Sequence, residues 1–394
     1  MDRRYFLQAT AAGLTAGALA AQPARATGDL PLWCASLGHG FGIQIHDFSE
    51  ATLDMVAAAG FTLIRTDFFW SAIEPARGRY DWTLYDALVL GLKQRNLRPV
   101  FVLGFNNPDA YSGVWMDGIT VPAEIAAFAA VAAAAVQRYA DLDPLWEVYN
   151  EPNRANFWAP TPDPAQYMAL AEATIAAIRA TNPAAIVLAP ALGHRVGTPV
   201  LEVEFLESCL QSGLLPLIDA VSIHPYVLPE VAEDSYNRVT ALVNQYATED
   251  RVVPLLATEW GFAVNDEMSE DTQADMLVRM FLVNRSLGIP VTLAYVAVDA
   301  TADYVPEEER HYGIVRSDYS PKPAFVALQT MMAHLNGKTF TKRLPSRADD
   351  FLLEFTDGLT NIVAAWTWSE AAARDVAVGA TRVALTGRPV FVVV

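Results

Sequence analysis

Eight short apolar runs, each followed by a longer stretch of helical composition, succeed one another at nearly even spacing through the first 336 residues. The runs are GIQIH (42–46), FTLIRTDF (61–68), RPVFVLGF (98–105), LWEVYNE (145–151), AIVLAPAL (185–192), AVSIHPY (220–226), PLLATEW (254–260) and VTLAYVAV (291–298). Strands covered on both faces read as continuous Val/Ile/Leu runs, the pattern of a parallel sheet enclosed by helices. The intervening helices carry their own boundary signals. Ser49-Glu50 opens one that ends near Gly60, and Pro122-Ala123-Glu124 opens an alanine-rich one running to about Ala140. Asp163-Pro164 starts another that stops before Asn182-Pro183, and Lys322-Pro323 seeds the eighth, which ends near Leu335-Asn336-Gly337. Eight strand and helix pairs predict an α/β chain whose residues 30–336 form a (β/α)8 TIM barrel. An open doubly wound sheet is the competing arrangement, but no glycine-rich phosphate turn follows any of the runs.

Past the eighth helix the apolar period changes to two. FLLEFT (351–356), NIVAAWTW (361–368), RDVAVG (374–379), RVALTG (382–387) and PVFVVV (389–394), divided by turns such as Asp357-Gly358, predict a small antiparallel, β-sandwich-like C-terminal domain over 337–394. Trp366 and Trp368 share one parity there, and packing against the barrel is expected of them rather than a sugar platform. The first 26 residues stand apart. Arg3-Arg4, Tyr5-Phe6-Leu7, an Ala/Gly/Leu run to Ala21 and Ala24-Arg25-Ala26 have the order of an export signal, and DRRYFLQ is similar to the twin-arginine pattern. The run is too short and too poor in bulky residues to span a bilayer. The mature chain is therefore expected to be periplasmic or extracellular, without stable membrane insertion. Its formal net charge is −18, and loss of Arg3, Arg4 and Arg25 against Asp2 makes it more negative still. Nucleic acid is thereby excluded as an expected partner, and a densely anionic polysaccharide is disfavoured unless a local basic groove overrides the average. Cys34 and Cys209 have no metal-ligand spacing and are expected as two buried free thiols.

A barrel collects its chemistry at the carboxyl ends of its strands. Strand one offers His46 and Asp47 there, strand two Arg65 and Asp67, strand four Asn150 and Glu151, strand six His224 and Tyr226, and strand seven Glu259. Period-two parity groups Gln44 with His46, Arg65 with Asp67, His224 with Tyr226, and Leu255 and Ala257 with Glu259, the last apolar pair filling the barrel interior. Strict alternation sends Asn150 and Glu151 to opposite faces. Both reach the mouth only if strand four loosens at its end, which Pro152 encourages by constraining the residue before it. Glu147 shares parity with Glu151 one layer deeper and is expected as a buried, paired structural group. Two carboxylates on facing strand ends are what glycoside hydrolysis needs, so Glu151 and Glu259 are candidates for its acid and its nucleophile.

LWEVYNEP and PLLATEWGF, Arg65 on strand two and His224-Pro225-Tyr226 on strand six resemble clan A retaining glycoside hydrolases, and the segments FWSAIEPARGRYDW (69–82) and HYGIVRSDYSPKPAF (311–325) extend the likeness. Within the clan the chain is most similar to family 39 and its bacterial exopolysaccharide glycosidase relatives, with family 5 a near second. The resemblance covers roughly residues 38–335 and extends to the small β domain. With the export signal, it implies a secreted retaining β-glycosidase acting on a polysaccharide or oligosaccharide, a bacterial exopolysaccharide or a plant β-glycan among the options, without cofactor or metal. Glu151 would be the general acid and base, Glu259 the nucleophile, and Asn150 the partner of the substrate 2-hydroxyl and the nucleophile. Tyr226 and Arg65 would orient Glu259 and hold it ionised, and His224 and His46 would line the sugar-binding floor.

Sugars present apolar C–H faces that stack on rings. Trp70, Phe105, Trp115, Tyr149, Phe157, Trp158, Trp260 and Tyr304 fall in loops or strand ends on the catalytic side, with Trp115 and Trp158 leading as substrate contacts. The clan commonly places a tryptophan on strand eight beneath the reactive sugar, where this chain has VTLAYVAVD; Tyr295 or Trp260 is the expected substitute. A metal site built from His46, Asp47, His224 and Glu259 is a weaker rival, because no HxH or HExxH spacing occurs, and no GxSxG turn marks a serine hydrolase. From another class, a non-catalytic carbohydrate-binding or polysaccharide-assembly protein on the same barrel stays open, since fold alone does not fix function.

Overall fold

A computed structural model describes residues 30–194, 198, 201–248, 251–301, 305–369 and 374–394; the expected export signal at 1–26 lies outside them. Eight parallel strands close into a barrel in chain order: β1 Phe41–Gln44, β2 Leu63–Phe69, β3 Arg98–Gly104, β4 Leu145–Val148, β5 Ile186–Gly193, β6 Ala220–His224, β7 Leu255–Trp260 and β8 Thr292–Ala294. β1 pairs with β8, Gly42 opposite Leu293, to complete the circle. A helix of eight residues or more follows each strand: α1 Glu50–Ala58, α2 Thr83–Arg95, α3 Pro122–Arg138, α4 Pro164–Thr181, α5 Glu204–Gln211, α6 Ala232–Tyr246, α7 Glu270–Ser286 and α8 Pro323–Leu335. Their starts follow the chemistry of the sequence. Ser49 caps α1 by accepting from the Thr52 amide, Asp163 caps α4 through the amides of Ala165 and Gln166, and proline opens α3, α4 and α8. β1, β4, β6 and β8 end earlier than their apolar runs, because the last residues of those runs turn out of the ladder at the barrel mouth.

Two apolar layers flank the sheet. Ile43, Phe101, Trp146 and Ile223 belong to the layer between strands and helices. Leu63, Val100, Leu145, Ile186, Ala220, Leu256 and Leu293 form the separate cluster that fills the barrel interior. The expected parity of β7 is corrected by this division: Leu256 and Thr258 face inward, not Leu255 and Ala257. β7 pairs with β8 through Ala257–Thr292 and then Trp260–Ala294, so three steps on β7 span two on β8. The bulge turns Glu259 inward directly after Thr258 and sends Trp260 outward onto Phe281 of α7, ring centroids 4.7 Å apart. One extra residue in a strand reverses the face of everything beyond it.

After α8 come two antiparallel sheets. β9 Thr339–Arg343, β10 Asp350–Thr356, β11 Asn361–Thr367 and β14 Val390–Val393 form a four-stranded sheet in the order β14-β11-β10-β9, and β12 Arg374–Val378 pairs with β13 Thr381–Leu385. β9 has no counterpart among the predicted segments: four of its five residues are exposed, so no apolar alternation marks it. One face of the larger sheet, with Phe351, Leu353, Phe355 and Trp366, joins the barrel's outer apolar layer. Leu352, Val363 and Ala365 on the other face pack with Val378 and Leu385 of the hairpin. Trp366 is fully buried and stacks on Phe351 at 4.8 Å, so packing rather than sugar contact is its role. Cys34 and Cys209 are buried free thiols, both pushed up to about 12 by burial. Among the described residues no helix is long and apolar enough to cross a membrane.

Candidate active site

Arg65 enters the barrel from β2 with its side chain fully buried. A guanidinium carries five N–H donors, and each needs an acceptor in a dry interior. All five are used. Nε donates to Glu147 Oε2 at 2.7 Å, Nη1 to Gln44 Oε1 at 2.5 Å and Glu259 Oε2 at 2.6 Å, and Nη2 to Asn150 Oδ1 at 2.8 Å and His224 Nε2 at 3.3 Å. Arginine cannot accept, so Nε2 of His224 is the bare ring nitrogen and the proton sits on Nδ1. That proton is donated to Glu151 Oε1 at 2.8 Å. The same logic turns the Asn150 amide, whose oxygen faces the guanidinium and whose NH2 group is left for another acceptor. Glu147 is fully buried, and its second oxygen accepts from the Thr258 hydroxyl at 2.7 Å, which is the structural role expected of it.

The two candidate catalytic glutamates have unlike surroundings. Glu259 accepts from Arg65 on Oε2 and from the Tyr226 hydroxyl on Oε1 at 2.7 Å. Burial raises its pKa, while the Arg65 guanidinium and the Tyr226 hydroxyl, both bonded to it, act the other way, and the carboxyl is held below its ordinary range. Burial and the adjoining carboxylate push the Tyr226 phenol well up, so it stays a donor. Glu151 is buried too, yet among the described residues its side chain has no arginine or lysine partner and meets the His224 ring. One oxygen of each glutamate and one His224 nitrogen lie within 4.8 Å of one another. Such a trio is chemically capable of ligating a metal, but Arg65 already bonds Glu259 and both His224 nitrogens are engaged, so a dication there would displace a buried cation's partners. Asp47, the other residue of the rival metal set, is turned away to Thr52 and Tyr319.

The expected loosening of β4 is present, by another route. Tyr149 and Glu151 both have positive φ, 68° and 44°. Glu151 is therefore left-handed rather than extended, the geometry that Pro152 alone would favour. Left-handed backbone at a side-chain-bearing residue costs on the order of 1–3 kcal/mol and persists only where surroundings over-determine it. Here the Glu151 amide donates to Ala191 O at 3.1 Å, and the Asn153 side chain clamps both main-chain groups of Gly193, at 2.7 and 2.8 Å. These bonds tie the end of β4 to β5 and bring Asn150 and Glu151 to one mouth.

An arc of rings runs from Tyr226 to Tyr312 (6.3 Å), Tyr295 (5.4 Å) and His46 (5.6 Å). Tyr295 thus stands beside the site as expected, while His46, its side chain 48% exposed, is at the rim, with Nδ1 3.8 Å from Asp67 Oδ2. Trp115 is 39% exposed and packs against Phe69 and Phe105. The other three tryptophans are corrected to core residues. Trp70 is 1% exposed, bonded to Glu74 and covered by Tyr111 and Phe128. Trp158 is bonded to Gln166 between Tyr149 and Tyr167, and Trp260 to Thr292 beneath Phe281; neither has exposed surface. Phe105 and Tyr149 are likewise buried, and Tyr304 lies outside the described residues. Phe69 and Tyr312 were not among the expected contacts. Phe69 shares the parity of Arg65 and Asp67, a signal available in the sequence, whereas Tyr312 follows the irregular segment after β8, which has no period to read.

Residues 37–295 match the family model of cellulase, glycosyl hydrolase family 5. The fold is similar to that of a family 39 glycoside hydrolase from the gut symbiont Bacteroides cellulosilyticus, with 23% identity over 91% of this chain and 81% of that one and a TM-score of 0.76. It is similar to a monomeric beta-xylosidase from Caulobacter crescentus (20% identity, 86% and 79% covered, TM-score 0.66) and to a GH5_18 structure from Streptomyces cattleya in complex with GlcNAc (18%, 75% and 80%, 0.59). No curated protein matches the chain. The clan A resemblance carried by the motifs therefore holds, and the matched segment takes in every side chain of the Arg65 network. The chain is a glycosidase and belongs to the cellulase family, glycosyl hydrolase family 5.

Proposed function

We propose that the protein is an exported β-glycosidase that cleaves a polysaccharide or oligosaccharide with retention, by double displacement. The observation that carries this reading is the approach of one carboxyl oxygen of Glu151 to one of Glu259, within 4.8 Å. Retaining enzymes hold their carboxyls about 5–5.5 Å apart, and inverting ones leave room for a water at about 6.5–9.5 Å. Their unlike surroundings support a division of roles. Glu259, kept anionic, attacks the anomeric carbon while Glu151 gives its proton to the departing oxygen, so one C–O bond breaks as the glycosyl ester forms. Glu151, now a carboxylate, takes a proton from water, whose oxygen displaces Glu259 and releases the sugar. Asn150, turned by Arg65, offers its NH2 to the sugar 2-hydroxyl.

An exopolysaccharide is the proposed substrate class, supported by the motif resemblance, and export is supported by the arginine pair and apolar run at the N-terminus. The test of mechanism is the anomer first released from a β-glycoside, followed by NMR in the wild type, Glu151→Gln and Glu259→Gln. Release of the β-anomer, lost in both variants, is expected. Release of the α-anomer would overturn double displacement, and sugar binding without turnover in the wild type would leave the binding-protein alternative. Fractionation of cells expressing the chain with and without residues 1–26 tests export.

A further inference from the structure

We infer that the glycone site admits neutral sugars and rejects uronic acids, and that Asp67 enforces the choice. This rests on the glycosidase reading above, because it concerns what stands beside Glu259. Asp67 lies two residues beyond Arg65 on β2, on the same inward face and one step nearer the mouth. Its carboxylate is 15% exposed, and its ion-pair partner is His46 at 3.8 Å, too long for a hydrogen bond. His46 continues through Tyr295 and Tyr312 to Tyr226, which bonds Glu259, so Asp67 closes the arc around the nucleophile. Burial raises the Asp67 pKa, and the carboxylates of Glu259 and Glu147 act in the same direction against His46 and Arg65.

A uronate needs a cation or free N–H donors, and the NH2 group that Asn150 has left over beside Arg65 is already assigned to the sugar 2-hydroxyl. All five donors of Arg65 are committed. Among the described residues no other arginine or lysine pairs with Asp67, Glu151 or Glu259, and the charge His46 could offer is already matched by Asp67. A sugar carboxylate would therefore face Asp67 and Glu259 unpaired. The hydroxyls of a neutral sugar are donors, which Asp67 accepts without cost.

The test compares kcat/KM on aryl β-glucoside, β-xyloside and β-mannoside with that on the aryl β-glucuronide, at low and high salt, in wild type and Asp67→Asn. A like-charge contact in a cleft costs several kcal/mol, so the best neutral glycoside should lead the glucuronide by about 100-fold or more. Added salt should narrow that gap in the wild type, and Asp67→Asn should narrow it about tenfold and weaken its salt dependence. Asp67→Ser serves if Asp67→Asn does not fold. A glucuronide handled as well as the best neutral glycoside, or a gap unmoved in the variants, overturns the inference. If no glycoside is cleaved, double displacement fails separately, and the same ratio is read from calorimetric binding. A neutral preference that narrows in the variants then sustains the inference, and its absence overturns it.

Discussion

Gly193 stands where β5 meets the carboxyl of Glu151, and replacing it with alanine should misplace the acid without touching the nucleophile. A Cβ at this position would lie 2.5 Å from Glu151 Cδ and 2.8 Å from Cγ and Oε1. Carbon atoms rest about 3.5–4.0 Å apart, so the carboxyl must retreat by about 1 Å. The backbone itself accepts alanine, since Gly193 is not among the residues with positive φ. A shift of that size breaks the 2.8 Å bond to His224. Misplacement of a catalytic group by about 1 Å costs on the order of 100-fold in rate, or about 2.7 kcal/mol of barrier. Two leaving groups separate this from general damage. An aryl glycoside with a dinitrophenolate leaving group departs without a proton, so its cleavage should fall far less than that of an alkyl glycoside or a disaccharide. Thermal denaturation supplies the folding control. Full activity of Gly193→Ala on both substrates, or equal losses on both with an unchanged melting temperature, would refute the placement of Glu151 as the proton donor.

Other consequences follow from the same geometry. Tyr226→Phe removes one of the donors that depress the Glu259 pKa, so the acid limb of the kcat/KM profile should move to higher pH; an unmoved limb contradicts that assignment. Because the folded-state pKa of Glu259 is lowered, its ionised form contributes stability that is present above the unfolded value and lost as pH falls through the folded one. The melting temperature of Glu259→Gln should accordingly approach the wild-type value in acid and fall below it at neutral pH. Trp260→Ala should cost about 3–5 kcal/mol in denaturant unfolding, as expected of a buried aromatic. Trp115→Ala should raise KM about 3- to 10-fold, the worth of an aromatic contact, and leave the melting temperature nearly unchanged. A reversal of those two tryptophan phenotypes would exchange their assigned places.

The barrel was legible because its signals are local and repeated: apolar runs of strand length, with caps and prolines at helix starts. The polar centre was legible for a related reason, since strand ends in a barrel converge wherever they lie in the chain. What escaped depended on single-residue departures from regular geometry. The inward turn of Glu259 is made by a bulge recorded in the pairing of β7 with β8, and no sequence period marks it. That bulge also explains the misreading of Trp260, whose place next to Glu259 suggested the cleft and whose parity sends it under α7. Trp70 and Trp158 lie in segments with no period to read, yet each indole N–H finds an acceptor close by in the chain, in Glu74 and Gln166. The Gly193 contact joins residues 42 positions apart and becomes visible only once β4 and β5 pair.

Charge counting gives Glu147 a reason to sit beneath the proposed catalytic pair. With Arg65 alone opposite an ionised Glu259, the buried centre would be neutral before attack and would carry an unmatched guanidinium once Glu259 became an ester. A positive centre at that depth opposes an oxocarbenium-like transition state and leaves a buried charge unpaired. Glu147, 2.7 Å from Arg65 Nε and itself held by Thr258, changes both counts by one. The centre is then negative when the sugar develops positive charge and neutral in the proposed covalent intermediate. Arg65 can thus keep Glu259 ionised without taxing the step that consumes its charge, and the same commitment of its five donors fixes the His224 tautomer that faces Glu151. One buried cation, balanced from below, suits the two glutamates to the unlike roles proposed for them.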